Sequence, residues 1–357
     1  MYGPEAILSW MEQEVKPMRR SRRKTLSVIV AAAMKMRGVG VLALGRAVES
    51  ATTAKHAIKR VWRFFRNERL EVEAIQQALV NHLLPPNGRR VVLLVDWTDH
   101  GGYKTLVAAL PRDGRSLPVW WATISKESGE GVQRRTEQEC LAALKRRLPF
   151  VSNVVIVADR GFGNTRWLAD VEKWGWGYVQ RLTGTLYAGN DRYFRALNAL
   201  PLFRGGPSRD WGTMALTQDN PFPIRLVTAF DPKAKEPWFL ATNLNDLPPE
   251  IVRIYQRRMW IEEMFRDLKN RNWGLGLTES VLSSPARQDR LWSVLALTYL
   301  FLCAFGAAAE KAGLDRHMRQ DTGSSRAMNL ARLGNYFLQI ASLAIPIALA
   351  ALNALPP

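Results

Sequence analysis

Three acidic side chains stand where metal chemistry needs them. Asp96 closes the apolar run "RRVVLLVD", Asp159 closes "NVVIVAD", and Glu262 lies within "IYQRRMWIEEMFRDLK", residues 254–269. A bare carboxylate ending a buried run is costly unless it faces a cleft and holds a cation. If the two runs are neighbouring strands, Asp96 and Asp159 converge, and Glu262 can supply a third oxygen donor. Three carboxylates without His or Cys suit a hard divalent ion, Mg2+ or Mn2+, with waters completing the octahedron. Two such ions about 3.5–4 Å apart activate the attacking oxygen and stabilise the leaving oxygen of a phosphodiester displacement. Each Asp alone is a weak signal, since Asp often simply ends a strand, and Asp99 and His100 are rival ligands beside Asp96.

The segment around Glu262 reads as one helix. At about 100° per residue, Tyr255, Arg258, Glu262 and Lys269 share a stripe about 60° wide, beside the apolar face of Ile261, Met264, Phe265 and Leu268. Glu263 and Asp267 point off the stripe and are set aside. Arg258 and Glu262 can equally be a surface i,i+4 pair, worth a few tenths of a kcal/mol.

These residues need elements to position them. The 357-residue chain is 47% hydrophobic, enough for a large core in two or three domains. Its formal charge of +18 favours a polyanionic partner, nucleic acid before acidic membrane. Residues 1–90 carry 17 Lys/Arg against 7 Asp/Glu, so the basic load sits at the front. There, three helices are expected over residues 21–38, 40–50 and 52–70, with Thr52 or Thr53 capping the third. On that third helix Lys55, Lys59, Arg63 and Arg66 recur at helical spacing, while Ile58, Val61, Trp62 and Phe65 are expected to face inward. A short helix followed by a basic one suits DNA contact, although a merely solvated Lys/Arg face has the same pattern.

"PPNGRR" (85–90) marks a linker. A buried strand ends at Asp96, two strands follow about an Asp113-Gly114 turn, then come a helix, a strand ending at Asp159, a helix and the strand "GYVQRLTG". That order predicts an α/β fold, a ribonuclease-H-like mixed sheet flanked by helices. The boundaries expected are a basic helical DNA-binding domain at 1–88, the catalytic domain at 89–184, a β-rich insertion at 185–250, the returning Glu262 helix at 251–277 and C-terminal helices at 278–357. Two apolar runs, Leu291–Ala309 and Tyr336–Leu355, are read as buried helices, with membrane spans as the rival. Cys140 and Cys303 match no metal spacing and read as buried thiols of a reducing cytosol, and no secretion signal is apparent.

Tyr255-x2-Arg258-x3-Glu262-x6-Lys269, "LLVDWTD" and "VIVADRGFG" together resemble the bacterial insertion-sequence transposases with a DDE triad and a Tyr-Arg-Glu-Lys signature. The β-rich insertion and "WFLATNL" before the signature are similar too, so the resemblance spans roughly residues 45–310. One departure is Trp97, which stands between Asp96 and Thr98 where small hydroxylated residues are common. The resemblance implies that Asp96, Asp159 and Glu262 bind two Mg2+ ions, with Mn2+ as substitute. Tyr255, Arg258 and Lys269 would hold phosphates of the transposon-end strand. Trp238 would stack on an extruded base, although a core Trp on a strand fits the same residue. It further implies cleavage at transposon ends, strand transfer by the freed 3′-hydroxyl through a hairpin, a homodimer on double-stranded end and target DNA, and a cytoplasmic, nucleoid-associated protein. A nuclease of the same fold without strand transfer is the alternative.

Overall fold

The computed structural model describes residues 3–355 apart from 37, 50, 86–88, 150, 163–164, 191–192, 218–220, 273, 281, 319–327 and 339–344. The middle of the expected linker, the Gly163 end of "VIVADRGFG" and part of the second apolar run therefore lie outside the described residues.

The sheet begins with β1 (Val91–His100), β2 (Tyr103–Arg112) and β3 (Arg115–Ser125), a meander turning at Asp113 (φ 38°) and Gly114 (φ 81°). Left-handed backbone at both positions is what a two-residue hairpin turn demands. Helix α6 (Glu130–Arg147), β4 (Val154–Ala158), α7 (Thr165–Lys173) and β5 (Gly177–Leu182) follow. β1 pairs with β4, and β4 with β5, in parallel, so these runs are apolar throughout because both faces are covered. β1 does not stop at Asp96, as the sequence suggested. Trp97 to His100 continue the ladder against Leu106 to Tyr103 of β2, a pairing that period-two patterning does not reveal once polar residues enter the strand.

The insertion supplies β6 (Tyr187–Asn190), β7 (Tyr193–Ala196), β8 (Arg209–Leu216), β9 (Phe222–Ala229) and β10 (Trp238–Thr242). These strands form no separate layer. β10 pairs antiparallel with β5, giving one ten-stranded sheet in the order β3-β2-β1-β4-β5-β10-β9-β8-β6-β7. Its first five strands have the ribonuclease-H-like order, and helices flank them.

The expected single helix over 254–269 is two, α8 (Pro248–Gln256) and α9 (Met259–Lys269). At the break, the N–H groups of Arg258, Trp260 and Ile261 donate to carbonyls only three residues back. The two apolar faces answer to different parts of the sheet. α8 packs on β5 and β9, α9 on β1, β2 and β3, and a straight helix would serve only one set.

Five helices precede the sheet: α1 (Pro4–Glu14), α2 (Arg20–Lys35), α3 (Val41–Ala47), α4 (Ala54–Arg66) and α5 (Val72–Leu83), of which α1 and α5 add to the three expected in this region. On α4 Trp62 is 48% exposed, contrary to expectation, and Ile58 only half-buried. Phe64 takes the inward place beside Phe65, the two rings meeting edge to face at 5.4 Å, while Arg66 covers the outward Trp62 ring at 4.1 Å. After the sheet, α10 (Pro285–Lys311) runs through the centre of the molecule, followed by α11 (Leu330–Leu338) and α12 (Ile345–Asn353). α10 is long and apolar enough to cross a membrane, yet its apolar window is wholly buried among α2, α5, α11, α12 and β3. Its apolar surface is satisfied by protein. Cys140 and Cys303 are buried thiols, not joined in a disulfide.

Candidate active site

Parallel pairing sets the first contact. Val95 stands opposite Ala158 across β1 and β4, so Asp96 and Asp159 come next on adjacent strands. Asp159 lies just past β4, where its Oδ1 accepts the Gly161 N–H at 2.7 Å and the Gln180 side chain of β5 donates to its carbonyl. A Cβ on Gly161 would lie 3.0 Å from that Oδ1, which favours glycine there. Asp96 Oδ1 accepts the Trp97 N–H at 2.8 Å. Each aspartate thus has one oxygen tied to nearby backbone and one free to face the cleft.

The free oxygens meet on one group. Arg258 Nη2 lies 3.0 Å from Asp96 Oδ2 and 3.2 Å from Asp159 Oδ2, and its Nη1 donates to Glu262 Oε1. Three carboxylates from β1, the β4 end and α9 therefore surround one guanidinium. Arg258 and Asp96 are buried, whereas the Glu262 side chain is 48% exposed and opens to solvent. Burial pushes the Asp96 carboxyl up to about 7, with Asp159 and Glu262 adding to the rise and Arg258 and the Trp97 N–H opposing it. Burial works against the Arg258 charge, but Asp96, Asp159 and Glu262 outweigh it and hold its pKa above the ordinary value. Negative charge is crowded here and needs a cation.

The donor set fits a hard divalent ion. Among the described residues no three His, Cys, Asp or Glu side chains form a ready-made cage, and the three carboxylates meet instead on the Arg258 guanidinium. The rival ligands lie elsewhere. Asp99 pairs with Lys126 at 3.3 Å, and His100 is buried beside the Trp292 ring, where burial brings its pKa down to about 4.

The remaining signature residues are placed unevenly. Tyr255, carried by α8 on the far side of the break, is fully buried. Its ring meets Trp238 edge to face at 4.9 Å, and burial pushes its hydroxyl up to about 12 against the pull of Arg258 and Arg181. Trp238 is half-buried on β10, next to Ala229 of β9. Lys269, half-buried at the end of α9, is pulled down by burial, with Asp99 raising it and Lys126 lowering it. Lys55, Lys59, Arg63 and Arg66 are all exposed on α4. Lys59 and Arg63 line a groove with Arg22, His56 and Arg60.

A second cluster, on the other side of α9, was missed. Asp267 Oδ2 accepts Arg115 Nε at 2.8 Å and the Tyr299 hydroxyl at 2.7 Å, and its Oδ1 accepts the Asn329 side-chain amide at 2.9 Å. Arg115 also reaches Glu263 at 3.5 Å. The residues off the stripe therefore fasten α9 to β3, α10 and the start of α11. Their only sequence signal was a second acidic pair, Glu263 and Asp267, four residues apart on one side of the helix.

A family model described as "Transposase DDE domain" matches residues 87–301, from just before β1 into α10. Among curated proteins none matches the chain.

Proposed function

The chain belongs to the transposases with a DDE domain, enzymes that act on DNA and generally use divalent metals, and from that premise we propose that it cuts transposon ends and joins them to target DNA. The observation that carries this reading is the meeting of Asp96, Asp159 and Glu262 around a single positive group. In the proposed site these three residues hold two Mg2+ ions. When bound, such ions activate an attacking oxygen and stabilise the leaving one.

The protein's own residues then bind and orient the strand. The α4 groove of Lys59, Arg60 and Arg63 gives the duplex a basic track outside the cleft. Lys269 offers a point charge to a phosphate beside the carboxylates. Trp238, half-buried with the buried Tyr255 ring packed edge to face against it, offers a surface on which an unstacked base can rest. Water attacks the phosphodiester at the element's end, the 3′-oxygen leaves and takes a proton, and the resulting 3′-hydroxyl attacks a second phosphodiester, whose own 3′-oxygen leaves with the proton given up by the attacking hydroxyl. By resemblance to the Tyr-Arg-Glu-Lys group, that second bond lies on the opposite strand, giving a hairpin that is reopened before target joining. No protein nucleophile takes part. Two ends brought together imply a homodimer on DNA, acting on cytoplasmic, nucleoid-bound substrate.

The test is a Mg2+-dependent cleavage and strand-transfer assay on the terminal inverted repeats flanking the coding region. Asp96→Ala, Asp159→Ala and Glu262→Ala should each abolish cutting while leaving DNA binding. Cleavage that survives Glu262→Ala, or is lost with Glu263→Ala instead, would sink the assignment. Cutting without joined product would leave a nuclease.

A further inference from the structure

Arg258 holds the two oxygens that a shared cation would need. Asp96 Oδ1 and Asp159 Oδ1 are spent on the Trp97 and Gly161 N–H groups, at 2.8 and 2.7 Å. Their other oxygens, facing each other across the cleft, both go to Arg258 Nη2. The exposed Glu262, the third donor, is taken by Nη1. A divalent ion bound between these oxygens and a guanidinium in the same place would repel each other at contact distance, and both would compete for the same lone pairs. Three carboxylates with nothing between them are equally unfavourable.

We propose that Arg258 is a placeholder cation, keeping the three carboxylates assembled before metal arrives and giving way as a divalent ion binds. This rests on the reading of Asp96, Asp159 and Glu262 as metal ligands. Two features suit a side chain that moves. Its Nε is buried without a hydrogen-bond partner among the described residues, so the buried position leaves one donor unused. Arg258 also stands at the junction of α8 and α9 as the N-cap of the latter, so its side chain can swing without undoing a helix interior. Outside, the same planar fork is matched to a phosphate. Arg258 is thus a positioning residue whose departure is coupled to loading of the site.

The readout is metal binding, not turnover. Mn2+ is titrated into the full chain without DNA, and the free ion is followed by electron paramagnetic resonance. Arg258→Gln should bind Mn2+ about tenfold or more tighter than the wild type, the competing charge being gone. Arg258→Lys, which keeps a charge but lacks the fork, should fall between them. Thermal melts separate this from a folding defect: Arg258→Gln should melt lower than the wild type without metal and gain more from Mn2+. Asp96→Asn serves as the control that loses binding. If Asp96→Asn loses binding but both Arg258 variants bind no tighter than the wild type, the placeholder is overturned and the carboxylate reading stands. If no form binds Mn2+, both fall.

Discussion

Replacing Asp267 with Ala should loosen the helix that carries Glu262. The carboxylate accepts from Arg115, Tyr299 and Asn329 at 2.7–2.9 Å, and both charged partners are largely buried, with side-chain exposures of 12% and 19%. Removing one member of a buried ion pair costs about 3–5 kcal/mol. Glu263, 3.5 Å from Arg115, remains as partial compensation, so the lower end applies. The stranded Tyr299 hydroxyl, inside the core, adds about 1–3 kcal/mol. For a chain of 357 residues, a total of about 4–6 kcal/mol corresponds to a melting point lower by about 5–8 °C. Asp267→Asn keeps an oxygen for Arg115 and Tyr299 and should lose less. Because Glu262 lies on the same helix, cleavage measured well below the melting point should also fall, and Mn2+ binding should weaken. A variant melting within about 1 °C of the wild type would refute the clamp. A lower melting point with unchanged cleavage and metal binding would show that the clamp does not reach Glu262.

Burial pushes the Asp289 carboxyl up to about 7 against the opposing hydrogen bonds from Thr123, so the folded state holds a proton that the unfolded state has lost. Its contribution to stability is therefore full below the ordinary carboxylate pKa and lost as pH rises through about 7. Asp289→Asn should gain on the wild type by about 4 kcal/mol between pH 4 and pH 8 in urea melts, and parallel curves would refute it. On the DNA side, Lys59→Ala and Arg63→Ala should each reduce the slope of log K against log salt by about 1, with melting unchanged. A slope equal to the wild type's would remove the α4 groove from the DNA path.

The sheet was legible because its strands are short apolar runs closed by strong punctuation. "RRVVLLVD" and "NVVIVAD" have one plausible structure, and the Asp113-Gly114 pair one plausible turn. The α9 register was legible for the same reason, an apolar face that repeats at helical spacing. Glu263 duly points away from the carboxylates toward Arg115 and Arg266. Periodicity misled where a chain bends or an aromatic has two homes. Nothing between Tyr255 and Glu262 breaks a helix locally, neither proline nor glycine, and the break arises because α8 and α9 pack on different strands. Trp62 fits an apolar face by type, but its place in the core is taken by Phe64.

Alone, the sequence determined the order of elements, the basic front of the chain and the three acidic positions, since each depends on residue type and local spacing. Tertiary structure decided the rest. Parallel pairing of β1 with β4 set Asp96 beside Asp159, and the sheet extension laid β10 against β5. The α8–α9 break buried Tyr255 and turned Arg258 onto three carboxylates. Where a charge goes depends on which opposite charges share its buried surroundings, and those partners lie up to 162 residues away along the chain.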